Sequence, residues 1–185
     1  HDLRNPLFAI TTAAERLLRK HPNPASDHLV QHILTSGRRA ARLVEDVLDF
    51  ARGRLGAGIP LTLHDSADLN DVFTHVISEV QSVHPQRQIE ADIGPIDGLH
   101  CDSGRLAQLL SNLLANAINH GATHGVVEVQ AQVNDDLFTL KVTNQGNPIP
   151  PHVQAQLFQP YSRPANDTPQ AGLGLGLYIA SQIAQ

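Results

Sequence analysis

A single cysteine, Cys101, is all the sequence offers to thiol chemistry. An internal disulfide framework is therefore excluded, and a reducing compartment fits best. Long hydrophobic runs are missing too. No stretch approaches the roughly 20 apolar residues that cross a bilayer, and no signal-peptide pattern opens the sequence as given. Charge of one sign is not concentrated anywhere: the net −5 is spread over 13 basic and 18 acidic residues. That leaves no electrostatic footprint for nucleic acid or an anionic membrane surface. No repeat recurs at a fixed period. These absences predict a cytoplasmic segment, without nucleic acid or membrane contact of its own, whose function resides in sites. The sequence opens on His-Asp-Leu-Arg with no capping residue ahead of a helical pattern, so it reads as cut from a longer helix with more chain upstream.

The 185 residues suffice for one large domain or two small ones. Apolar residues at Leu3, Leu7, Ile10, Ala14, Leu17 and Leu18 follow helical spacing. His21-Pro22-Asn23-Pro24 breaks this first helix, Ser26 or Asp27 can cap a second, and its stripe runs from Leu29 through Ile33, Ala40, Val44, Val47 and Leu48 to Ala51. Two such helices form an antiparallel hairpin that leaves apolar surface exposed, which a dimeric four-helix bundle would cover. Glycines between 53 and 58 mark a linker, giving domains 1–57 and 58–185. Beyond it the pattern predicts a strand at 59–63, a helix at 68–84, a strand at 88–93 and a strongly apolar helix at 102–119. A β-hairpin follows at 126–133 and 137–143, turned at Asn134-Asp135-Asp136. Residues 145–172 read as loop with a short helix at 153–158, and a helix at 173–184 closes the chain. The mixture lacks a repeating βαβ rhythm and fits an α+β sandwich.

Four segments carry chemistry. In His1-Asp2-Leu3-Arg4-Asn5-Pro6-Leu7 an imidazole stands beside a carboxylate, with Asn5 one turn on. A carboxylate that accepts one ring N–H fixes the tautomer and leaves the other nitrogen nucleophilic. Pro6 cannot donate to the Asp2 carbonyl, which in a helix interior costs about 3 kcal/mol and favours a bend. The heptapeptide alone is equally compatible with a surface histidine in a first helical turn. In the apolar helix, Asn112, Asn116 and Asn119 share one face, opposite a stripe of Leu106, Leu109, Leu110, Leu113, Leu114, Ala117 and Ile118. Three asparagines in two turns forgo roughly 1.5 to 2 kcal/mol relative to alanine, so a function should compensate. Neutral carboxamide oxygens can ligate Mg²⁺ and leave positions open for substrate phosphates. Gly172-Leu173-Gly174-Leu175-Gly176-Leu177 stands directly before a helix, where backbone N–H groups and the helix dipole suit phosphate. It is neither a P-loop, lacking Gly-Lys-Ser/Thr, nor a dinucleotide loop, lacking a preceding strand. Asn144-Gln145-Gly146-Asn147-Pro148 follows a strand end and can set the Asn144 carboxamide at the floor of a pocket, as an acceptor for an adenine amino group.

Taken together and in this order, the motifs resemble the sensor histidine kinases of two-component signalling, whose catalytic domain shares the GHKL-type ATPase fold of gyrase, MutL-type proteins and heat-shock chaperones. Residues 1–7 look like the H box, 112–120 like the N box, 144–150 like the G1 box, 157–163 like the F box and 172–177 like the G2 box. The resemblance implies an ATP- and Mg²⁺-dependent protein-histidine kinase. Its fold would be a hairpin in a dimeric four-helix bundle followed by a two-layer α+β sandwich of the histidine-kinase ATPase type. It implies that His1 receives the γ-phosphoryl group, that Asp2 is its base, and that Asn5 serves removal of phosphate from the partner. Asn116 would ligate Mg²⁺ and Asn112 would help to hold metal or phosphate. Asn119, His120, Asn144, Gly146, Tyr161, Arg163, Gly172, Leu173, Gly174, Leu175 and Gly176 would complete the nucleotide site, with 162–171 as its lid. Implied partners are a second copy through the hairpin, a response-regulator receiver domain, and an upstream sensor domain on the same parent chain.

The sequence departs from the family at three places. Asn119 and His120 stand where a lysine and an aromatic are usual. Asn144 replaces an aspartate, a loss of about 1 kcal/mol in ATP binding. Pro148 replaces a glycine. The sequence also stops before the family's final glycine turn and strand, so the catalytic domain is expected to be C-terminally truncated. These departures motivate a second expectation, a catalytically weak kinase that serves as a dimeric signalling scaffold.

Overall fold

The computed structural model describes residues 4–20, 24–55, 58–66, 68–135, 137–162 and 173–185. The chain divides into two compact units, His1–Leu55 and Gly56–Gln185.

In the first unit, α1 (Arg4–Lys20) and α2 (Pro24–Arg54) pack side by side. Ala14, Val30 and Leu34 are buried between them, with Leu18 against them. Gly37 sets the approach of the two helices, because a Cβ there would lie 2.7 Å from Thr11 Cγ2. Arg38 closes the contact with an ion pair to Glu15 at 3.1 Å. Helix α2 begins at Pro24, ahead of the expected Ser26 or Asp27 cap, because a proline at the first helical position gives up only an N–H that has no intrahelical acceptor. It also runs through Gly53, so the linker expected from that glycine starts later.

The second unit holds β1 (His64–Ser66), α3 (Leu69–Val83), β2 (Ile89–Ile93), β3 (Leu99–Cys101), α4 (Ser103–His120), β4 (Val127–Asn134), β5 (Leu137–Asn144), α5 (Pro151–Gln154) and α6 (Gly176–Ile183). The main sheet has the order β2-β4-β5, with β2 parallel and β5 antiparallel to β4. Because β2 and β4 are parallel, the chain between them must cross over, and α4 makes that crossing. Val127, Val129 and Ala131 alternate inward along β4 and meet Leu110, Leu114, Ala117 and Ile118 of α4 and Leu69 and Phe73 of α3 in one core. Phe73 and Phe138 bring α3 and β5 together, ring centroids 6.3 Å apart. The β4–β5 turn is tight, Asn134 pairing with Leu137, and Asp135 takes φ 49°, a left-handed conformation that aspartate tolerates. The result is the expected two-layer α+β sandwich.

A strand and a helix start elsewhere than the sequence reading places them. The strand expected at 59–63 forms instead at His64–Ser66 and pairs with β3. Pro60 has no N–H to give, and the Thr62 N–H goes to the Asp102 carboxylate at 2.8 Å rather than to a ladder. Helix α6 starts at Gly176, not 173, because Gly174 takes φ 71°, which no right-handed helix accommodates.

Candidate functional site

Helix α4 carries the asparagines and is fixed at both ends. At its start the Asp102 carboxylate accepts from Arg105 N–H at 3.0 Å as well as from Thr62 N–H. Burial pushes the Asp102 carboxyl up, but these backbone donors and the Arg105 charge outweigh it and hold the group below the usual carboxylate range. Leu109, Leu110, Leu114, Ala117 and Ile118 bury the apolar face. Around the helix from them, Asn112 and Asn116 are half-buried, while Asn119 and His120 are exposed. The face predicted from spacing therefore grades from a sheltered end to an open one.

At the sheltered end, Asn112 meets the glycine loop. A Cβ on Gly176 would lie 3.6 Å from both Cγ and Oδ1 of Asn112. Asn112 Nδ2 is buried there and has no hydrogen-bond partner among the described residues. An unpaired buried amide costs about 1–3 kcal/mol unless something supplies the bond. Helix α6 begins at this point with Leu175 at its N-cap and no side-chain cap, so no side chain at the cap position shields its first N–H groups. Gly174, left-handed, accepts on its carbonyl from Tyr161 N–H at 3.0 Å, which joins the described segments on either side of 163–172. Tyr161 itself takes φ 60° and is exposed, as is Leu173, whereas Leu175 is buried.

At the open end, the 144–146 loop attaches to the end of α4. Ala122 N–H donates to the Gln145 carbonyl at 2.6 Å. Gly146 lies against the chain at His120 and Ala122, a Cβ on it falling 3.5 Å from the His120 carbonyl. Asn144 is exposed and its Nδ2 donates to the Gln145 carbonyl at 3.2 Å. The two ends of the site lie eight residues apart on α4, about 12 Å along its axis. The structure thus sets Asn112 against Gly176 at one end and Gly146 against His120, Ala122 and Asn144 at the other, with Asn116 between the two ends on α4.

Asn5 sits exposed in the first turn of α1. His1, Asp2, Arg163 and Gly172 lie outside the described residues. The two clearest concavities involve none of the expected residues: one of about 380 Å³ lies between α1 and α2, and one of about 230 Å³ on the outer face of β2 and β4. Among the described residues no group of three or more His, Cys, Asp or Glu side chains could hold a metal ion, so a cation here would rest on neutral ligands and on the phosphates it accompanies. The orphaned Asn112 amide beside an uncapped helix start fits a phosphate oxygen; turned over, the same carboxamide offers its oxygen to a cation. Sequence reasoning missed Arg87, which reaches the end of α4; a lone arginine before a strand carries no local signal.

A two-helix hairpin joined to a mixed-sheet sandwich, with an asparagine-bearing crossover helix facing a glycine-rich helix start, defines a two-unit protein of helical hairpin and α+β sandwich. Family comparison agrees on both. The "His Kinase A (phospho-acceptor) domain" model matches residues 1–56, and the "Histidine kinase-, DNA gyrase B-, and HSP90-like ATPase" model matches residues 101–185. Over its whole length the chain is 35% identical to a bacteriophytochrome of Pseudomonas aeruginosa and 32% identical to the sensor protein CreC of Escherichia coli, covering 25% and 39% of them. The crystal structure of full-length ShkA in complex with AMPPNP matches all of this chain with a TM-score of 0.65 at 29% identity, over 39% of its own length. The chain belongs to the sensor histidine kinases of two-component signalling, and it spans about a quarter to two fifths of the curated relatives it matches. No helix of the described residues is long and apolar enough to cross a membrane.

Proposed function

We propose that this chain is the kinase core of a cytoplasmic signalling segment, in which the domain at 58–185 binds ATP with Mg²⁺ and phosphorylates His1 of the hairpin at 1–57. The observation that carries this reading is the buried Asn112 amide, without a partner among the described residues and held against Gly176 at the start of α6. It is a donor in want of an acceptor, beside helix N–H groups that favour anions. Asn112 and the 174–176 backbone hold the phosphates, Asn116 holds Mg²⁺, and Asn144 accepts from the adenine amino group with Gly146 allowing close approach. His120 covers the base, Asn119 lies beside it, and Tyr161, Arg163, Gly172, Leu173 and Leu175 contribute to nucleotide binding. The bound Mg²⁺ supplies charge neutralisation on the phosphates.

Asp2 accepts one imidazole N–H of His1, and the free ring nitrogen attacks the γ-phosphorus. A P–N bond forms as the bond to the β–γ bridging oxygen breaks, and ADP leaves with that electron pair. The phosphoryl group then passes to an aspartate of a response-regulator receiver domain, and Asn5 serves the hydrolytic removal of phosphate from that partner, with water as nucleophile and inorganic phosphate as product. The hairpin dimerises with a second copy, and an upstream sensor domain of the parent chain governs the reaction. The test is incubation with γ-labelled ATP and Mg²⁺. Acid-labile label on the wild type, absent from His1→Ala and Asn116→Ala, is expected; equal label on His1→Ala would refute the assignment.

A further inference from the structure

Arg87 stands in the turn between α3 and β2 and belongs to none of the motifs above. Its backbone is anchored in three ways. Arg87 N–H donates to the His84 carbonyl at 2.9 Å, Gln81 Nε2 of α3 donates to the Arg87 carbonyl at 2.6 Å, and Val127 N–H of β4 donates to the carbonyl of the next residue, Gln88, at 2.9 Å. From this fixed base the half-buried guanidinium crosses to the end of α4. Nη1 donates to the Ala122 carbonyl and Nη2 to the Ile118 carbonyl, with the Gly121 carbonyl 3.5 Å from Nη2. The last carbonyls of a helix have no donor in the helix and carry the negative end of its dipole. Here three carbonyls at and just beyond that end converge on one cation, and the planar fork of arginine suits divergent acceptors better than an ammonium does.

The same few residues are where the 144–146 loop is attached, through Ala122 N–H to the Gln145 carbonyl and through the packing of Gly146 on His120 and Ala122. One side chain therefore fixes the segment that carries Asn119 and His120 and, one hydrogen bond further, Asn144 and Gly146. We infer that Arg87 is a positioning residue for the base-binding end of the nucleotide site, an inference that rests on the kinase reading above. The phosphate end at Asn112 and Gly176 lies about two turns back along α4, so loss of Arg87 loosens the hold on the base and leaves phosphoryl transfer from a fully bound nucleotide intact.

The test uses the full chain and follows autophosphorylation against ATP concentration, with amide hydrogen exchange in the absence of nucleotide. Arg87→Gln is expected to raise KM for ATP about tenfold with kcat changed less than about twofold, as for loss of uniform binding. Exchange is expected to quicken at 119–122 and 144–146 and to stay unchanged in β4. Arg87→Lys, which restores the charge without the fork, is expected to recover part of the loss, a KM about threefold above wild type. That lysine variant carries the test alone if the glutamine variant does not fold. Wild-type KM in both variants, or a fall in kcat with faster exchange throughout the sandwich, overturns the inference while the kinase reading stands. A wild type that takes no label overturns both.

Discussion

Asn144 and Asn112 place opposite demands on the site. Asn144 is exposed, its Nδ2 donates to the Gln145 carbonyl, and its neutral oxygen is the group proposed to accept from the adenine. A carboxylate in that place makes a charge-assisted acceptor, so Asn144→Asp should tighten ATP binding several-fold, about 1 kcal/mol, by titration calorimetry. Equal or weaker binding would show that the oxygen does not face the base. Asn112 is the reverse case, a buried amide without a hydrogen-bond partner among the described residues. Asn112→Leu, close in volume, removes that cost. It should raise the melting temperature without nucleotide, by the equivalent of about 1 kcal/mol, while abolishing the further rise that ATP gives the wild type. A loss of intrinsic stability would refute the idea that the amide waits for a ligand. Spacing placed all three asparagines on one face of α4, but which of them is sheltered depends on Gly176, a residue sixty-four positions away that only tertiary packing brings near. Arg87 was invisible for the same reason: its partners are backbone carbonyls, which leave no mark on the sequence.

Among the elements, those with a clear period were legible and those held by side-chain bonds were not. The apolar stripe of α4 and the alternation of β4 mark themselves, and both form within a residue or two of where they were expected. The three-residue β3 is too short for any period, and β1 is displaced because Asp102 captures the Thr62 N–H that a strand at 59–63 would need. That carboxylate caps α4 and pins the preceding segment at once, so Asp102→Ala should destabilise the nucleotide unit by about 1–2 kcal/mol. Its carboxyl is held below the ordinary range in the folded protein, so the stabilisation is present above the unfolded pKa, about 3.9, and is lost as pH falls through the folded value. Denaturant titrations of wild type and variant should therefore differ at pH 7 and converge in acid. A difference that persists at pH 2 would assign the effect to packing.

For the whole molecule, the telling feature is how little the hairpin buries by itself. Ala14, Val30, Leu34 and Leu18 fill its seam, while Ile10, Leu17, Leu29, Ile33 and Val47 stay exposed. Ile10 and Leu17 are seven residues apart, and Ile33, Ala40 and Val47 repeat at the same interval, the spacing of a coiled-coil seam. With the two helices antiparallel, the right-handed turn of each carries both stripes to the same side of the hairpin. A face of this kind suits a second copy of itself, since a two-fold axis sets each stripe against its own counterpart. Ile33→Glu would bury two carboxylates near that axis in the dimer yet leaves the Ala14–Leu34 seam of each hairpin untouched. Sedimentation should show wild type as a dimer at micromolar concentration and Ile33→Glu as a monomer of unchanged helix content. Because the melting of a dimer depends on concentration, the wild-type hairpin transition should also rise with protein concentration and the variant's should not. A dimer that survives Ile33→Glu would place the association on another surface of the chain.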